Sequence, residues 1–192
     1  MNTPAHLIFG AAAFARHAQP AVTSAAIFGA LLPDLSLYLL VFWALVIDGL
    51  SAEVVFGRLY FSDLWQGIFA VDNSFVLWGF VLVLGLWFRA RLVTVFAASG
   101  LLHILFDFLL HHDDARRHFW PASDWVFVSP VSYWDPSHFG NIAGPVEVAV
   151  SLLLCLVLWH RFRSVTARAL ITLAALAEAA PPLIFGFLFM GS

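Results

Sequence analysis

Lysine is absent from this 192-residue chain, and all nine of its cationic side chains are arginine. Charge of either sign is scarce. Asp, Glu, Lys and Arg together make up 11% of the residues, where a soluble domain carries about a quarter. With a formal net charge of −3, the chain lacks the basic surface that a nucleic-acid partner needs. Cysteine is confined to Cys155, inside the apolar run 148–159, which excludes an intrachain disulfide and a cysteine-type zinc site. A buried small hydrophobe is the natural reading of that residue. No arginine precedes the first apolar stretch, and Arg16 follows it. That is the reverse of a cleavable secretory signal, so the segment is expected to be retained. No internal repeat or low-complexity tract is present.

Apolar surface is abundant. Hydrophobic residues make up 62% of the chain and the mean hydropathy is +0.91, so the bilayer is the expected solvent for a single domain, 1–192. Five stretches (21–47, 74–88, 92–110, 142–159 and 167–189) are long enough, or nearly so, to span a hydrocarbon core of about 30 Å. A sixth, 4–16, reaches roughly halfway at 1.5 Å per residue. The expected fold is all-α, a transmembrane bundle of about six helices with a short first helix and a structured loop at 111–141. Thr3 and Pro4 read as the cap and first position of that short helix. Its positive end would stop within the bilayer and face a polar cavity.

The arginines set the expected orientation. Placing the turn at Arg16 in the cytoplasm puts Arg89, Arg91, Arg161, Arg163 and Arg168 there too, without one acidic residue. The other side then holds Asp48, Glu53, Asp63, Asp72, Asp113, Asp114, Asp124 and Asp135 with three arginines. This is a positive-inside pattern. It places loop 111–141 outside, on the periplasmic face of a bacterial inner membrane. Trp65, Trp78, Trp120, Trp125 and Trp134 would form the outer aromatic belt.

Polar residues inside the spans share one depth. Counted from the cytoplasmic arginines or the helix start, His6, Asp34, His103, Asp107, Glu147 and Glu178 all lie roughly 15–24 Å up. Ionisable groups at that depth are costly and usually functional. The sharpest signal is His103-x3-Asp107-x3-His111, in which spacing by four keeps the side chains on one helical face. Imidazole and carboxylate together suit zinc, and manganese or iron less well. A helix-tying His–Asp ion pair is the other reading of the same residues. Asp34 follows Pro33 and is either a ligand or the cap of a proline-loosened turn, and His6 adds a further candidate ligand. Glu147, just after Gly144-Pro145, is the candidate general base. Paired Arg116 and Arg117 suit a phosphate or carboxylate group, or alternatively lipid headgroups.

In order, the chain has a near-N-terminal His6, the segment Gly29-Ala-Leu-Leu-Pro-Asp34, the helix-opening Asn73-Ser74, and His103-Ile-Leu-Phe-Asp107 leading to Trp120-Pro121. Over roughly the first 120 residues this resembles the LexA-regulated inner-membrane metal-dependent hydrolase family. Two positions depart from that pattern. Ser36 stands where the family has a second acid, and Asp72-Asn73-Ser74 replaces its His-Arg and Thr-His-Ser element. Similarity of the family to zinc-dependent phospholipases implies a membrane-associated, lipid-like ester or phosphoester as substrate. The leading expectation is therefore a metal-dependent hydrolase. A non-catalytic membrane subunit or ion-binding scaffold is the alternative, and a metal or proton carrier is disfavoured by the missing inverted repeat.

Overall fold

The computed structural model describes the backbone of residues 1–189 and the side chains of 1–180. It is helical throughout, with no strand among the described residues. Helix α1 (Thr3–Phe14) is short, and α2 (Pro20–Phe42) runs on through a π-helical turn, Trp43–Ile47. A short outer turn, α3 (Ala52–Val54), leads into α4 (Asp63–Asp72). Helices α5 (Phe75–Trp87) and α6 (Arg91–Leu110) form a hairpin, loop 111–139 follows, and α7 (Gly140–Arg161) and α8 (Val165–Phe189) complete the chain. The six segments expected from sequence correspond to α1, α2, α5, α6, α7 and α8.

Helix α4 lies between the expected spans 21–47 and 74–88, in a stretch without a long apolar run. The segment is amphipathic. Trp65 and Phe69 bury one face against Ala44, Val55 and Tyr60, and burial of that face outweighs the segment's modest polarity. With α5 it forms a nearly continuous helical stretch, Asp63–Trp87, broken only at Asn73-Ser74. Among the described residues, four stretches are long and apolar enough to cross a membrane: Pro20–Ile47, Asp63–Trp87, Arg91–Leu110 and Gly140–Arg161. Large apolar side chains such as Phe28, Phe42, Trp43, Phe80 and Leu153 lie exposed on their outer faces. A water-soluble protein does not tolerate that much exposed apolar area.

Helix ends follow local chemistry. Pro20 opens α2, while the Ser62 and Ser74 hydroxyls accept the backbone N–H groups of Trp65 and Leu77 to start α4 and α5. Asn2, rather than Thr3, caps α1, which leaves the Thr3 hydroxyl free for another role. At the opposite end of α1, the Arg161 guanidinium donates to the Ala12 carbonyl at 2.8 Å. A cation there complements the negative end of the helix.

Small residues let α1, α2 and α6 meet. A Cβ on Gly29 would stand 2.1 Å from the Phe96 carbonyl oxygen, and one on Gly10 would stand 2.8 Å from the Ala30 Cβ. Such close backbone approach is how helices pack where lipid removes the hydrophobic drive. The Ser99 hydroxyl donates to the Ala26 carbonyl at 2.7 Å across the same crossing.

Candidate metal centre

The α1–α2–α6 crossing gathers the buried histidines and aspartates of the spans. His103, Asp107 and His111 lie on one face of α6 and are 1%, 2% and 5% exposed. The Asp107 carboxylate is their hub. Its Oδ1 is 2.8 Å from His6 Nε2 and 3.1 Å from His111 Nε2, and its Oδ2 is 3.1 Å from His103 Nε2. Asp34 on α2 brings Oδ1 to 3.6 Å from His103 Nε2. The His6 and His103 rings stack at 3.5 Å, tilted by only 8°. The Met1 α-amino group lies 3.0 Å from Asp107 Oδ1 and 3.2 Å from His111 Nε2.

His103 Nδ1 is 2.7 Å from the Ala30 carbonyl oxygen, which can only accept, so that nitrogen carries the ring proton. In the neutral ring, Nε2 is then a lone pair facing two carboxylates. Such a point is satisfied by a bound cation or by a second ring proton that makes a His–Asp ion pair. A carbonyl behind an imidazole is also the usual device that fixes the tautomer of a metal-binding histidine. His111 repeats the pattern, with Nδ1 2.9 Å from Asp114 Oδ2 and Nε2 turned to Asp107. His6, Asp34 and His103 each bring one donor atom within 4.8 Å of the others, and their chemistry fits a divalent metal. All five residues proposed from sequence as ligands (His6, Asp34, His103, Asp107 and His111) therefore converge.

The Asp34 oxygens face the side chains of His103 and Thr3. The Asn73 side-chain amide donates to the Pro33 carbonyl at 3.2 Å. The second Asp34 oxygen accepts from the Thr3 hydroxyl, to which Tyr38 O–H donates at 2.7 Å. Asn73-Ser74 is structural in this chain: Ser74 caps α5, and its hydroxyl also donates to the Trp120 carbonyl. These bonds tie loop 111–139 to the bundle.

The cluster opens into a cavity of about 550 Å³ whose wall includes Asp34, Tyr38, Tyr60, His111, Arg116 and Tyr133. Arg116 is 4% exposed, its guanidinium lies 5.1 Å from the Phe69 ring centre, and its Nε and Nη1 have no partner. Buried guanidinium N–H groups left unpaired are costly, so the cavity wall offers donors suited to an anionic group. Arg117 does not join it: its side chain pairs with Asp124 at 3.3 Å. Burial alone would lift the Asp114 carboxyl, but the hydrogen bond and charge of His111, with Arg116, hold it below the ordinary range. Burial, reinforced by Asp114 and Asp107, raises Tyr133 above its ordinary value and keeps its hydroxyl protonated.

Glu147 sits apart from the histidines. Its Oε1 accepts the Asn2 N–H at 2.8 Å, and its Oε2 is buried without a partner. It lines a second cavity of about 560 Å³, apolar, walled by Phe9, Phe106, Leu110, Ile142 and Val146. Met1 borders both cavities. Glu178 is fully buried on α8, with neither carboxylate oxygen paired.

Sequence reasoning missed Tyr38, Asp114, Tyr60 and Tyr133. Two of these had a legible signal, since Tyr38 lies one turn beyond Asp34 and Asp114 lies three residues beyond His111. Tyr60 and Tyr133 reach the cavity only through tertiary packing. The chain has no significant match among protein-family models, curated proteins or solved structures.

Proposed function

We propose that this protein is a metal-dependent hydrolase of a membrane-associated ester or phosphoester, a divergent member of the LexA-regulated inner-membrane hydrolase family. One observation carries the reading: a buried cluster of His and Asp donors borders a cavity holding a buried arginine with unpaired donors. His6, Asp34, His103 and Asp107 would hold the ion, zinc by preference. A bound divalent metal supplies an acidified water and polarises the scissile group.

The chain's own groups divide the remaining work. Arg116 neutralises an anionic substrate group, and the protonated Tyr133 hydroxyl can donate to it. His111 is the general-base candidate on the wall of the polar cavity, with Nδ1 held by Asp114 and Nε2 beside Asp107, whereas Glu147 lines the neighbouring apolar cavity. A base oriented by a third group is the recurrent arrangement. The neighbouring apolar cavity suits the hydrocarbon part of a lipid-like substrate, with its polar head beside Arg116. The acid-free arginine set supports an inner-membrane position with the site opening to the periplasm.

Metal analysis of the purified protein, combined with lipid turnover in nanodiscs, tests this proposal. Stoichiometric zinc or another divalent ion at the buried centre is expected. His103→Ala should remove that ion while the protein stays folded, and should abolish release of product from the supplied phospholipids. Arg116→Ala should retain the metal and weaken substrate binding roughly tenfold or more, as loss of a charge-assisted hydrogen bond predicts. Stable protein that binds no divalent ion at micromolar levels would establish the scaffold alternative instead.

A further inference from the structure

We infer that the outer loop carries a second metal site, formed by His112, Asp113 and His138 and separate from the buried centre. His112 is the second residue after α6, and His138 the second before α7. The two are distant in sequence, yet their rings stack with centres 3.4 Å apart and planes 20° from parallel. One donor atom from each of the three residues lies within 4.8 Å of the others.

The hydrogen bonds behind the rings turn a histidine contact into a built site. His112 Nδ1 is 2.6 Å from the Ser129 carbonyl oxygen, so it carries that ring's proton. His138 Nδ1 lies 2.6 Å from Asp135 Oδ2, and the other oxygen of Asp135 accepts the Ser137 N–H at 2.9 Å. Asp135 is therefore anchored before it orients the imidazole. In the neutral form each ring presents Nε2 as a lone pair, and Asp113 adds a carboxylate oxygen 3.9 Å from His112 Nε2. An acceptor behind each imidazole, with the lone pair in front, is the arrangement that metal-binding histidines use.

Two imidazoles and one carboxylate suit zinc first, with the fourth position left to water. The partly exposed side chains, 24% for His112 and 32% for His138, let the ion exchange with the outer medium. An ion at this point bridges the two ends of loop 111–139, which supplies His111, Asp114, Arg116, Tyr133 and Trp134 to the wall of the buried cavity. The site thus acts as a clasp on that wall, and its occupancy sets how firmly the wall is held.

Zinc titration of the detergent-purified protein against a chromophoric chelator separates the two sites. Wild-type protein should bind two zinc ions per chain. His112→Ala and His138→Ala should each bind one, His103→Ala should bind one, and the His103→Ala/His138→Ala double variant none. Asp135→Asn keeps all three outer donors and should weaken only the outer ion, by roughly 10–100-fold. A zinc count and affinity unchanged in His112→Ala and His138→Ala would overturn the outer site. Loss of one ion in those variants, with no effect of His103→Ala, would uphold the outer site and overturn the buried centre.

Discussion

At the scale of single residues, the chemistry turns on which nitrogen of each histidine is engaged. His103 and His111 each give Nδ1 to an acceptor and present Nε2 to Asp107. His118 is different, for it is buried and gives Nδ1 to the Asn73 carbonyl at 2.9 Å. Burial pushes its imidazole down to about 4 from an ordinary 6.5, outweighing the Asn73 hydrogen bond and Asp107, while Arg116 and His111 push the same way. The folded pKa lies below the unfolded one, so between these values the unfolded loop binds more protons. The contribution of His118 to loop stability is therefore complete above pH 6.5 and is lost as the pH falls toward 4. Tryptophan fluorescence of the loop, followed from pH 7 to pH 4, should show a transition that is reduced in His118→Gln. Identical profiles for the two proteins would refute this account.

At the scale of helices, the site depends on how near α2 comes to α6. Gly29 sets that spacing, because a Cβ there would meet the Phe96 carbonyl at 2.1 Å. Backbone cannot give way as a flexible side chain does. Gly29→Ala must therefore push the helices apart, at a cost on the order of 1–3 kcal/mol. The same displacement draws the Ala30 carbonyl and Asp34 away from His103. A lower melting temperature in detergent should accompany at least tenfold weaker zinc binding at the buried centre, with the outer site unchanged. Normal stability and affinity in Gly29→Ala would show that the crossing is not rigid enough to position the ligands.

Over the whole molecule, the proposed orientation rests on arginine. Six arginines without an acid lie on one side of the spans, and loop 111–139 lies on the other. Ser123 and Ser164 are both exposed and sit at opposite ends of the bundle. In a Cys155→Ala background, a cysteine at position 123 should react with a membrane-impermeant thiol reagent in intact cells. A cysteine at 164 should react only after the membrane is opened. Reversed labelling would move the proposed chemistry to the cytoplasm. Labelling of both positions from outside would mean that α7 does not cross.

The sequence by itself determined the long apolar helices and singled out the His and Asp residues that the fold brings together. Long apolar runs interrupted by arginine specify spans, because a bilayer admits few other backbone arrangements. His103, Asp107 and His111 were legible because their spacing alone puts them on one helical face, and His6 and Asp34 because charge at that depth needs a partner. Tertiary structure decided what no local pattern encodes. The helical content of 63–72 depended on a face that finds its partners only after folding. The adjacent Arg116 and Arg117 diverged, one buried over Phe69 and the other paired with Asp124, because loop 111–139 has no period from which direction can be read. Glu147 shares the depth of the histidines, yet it faces the Asn2 N–H from α7. Rise per residue sets depth, but rotation about the helix axis is set only by packing against neighbours.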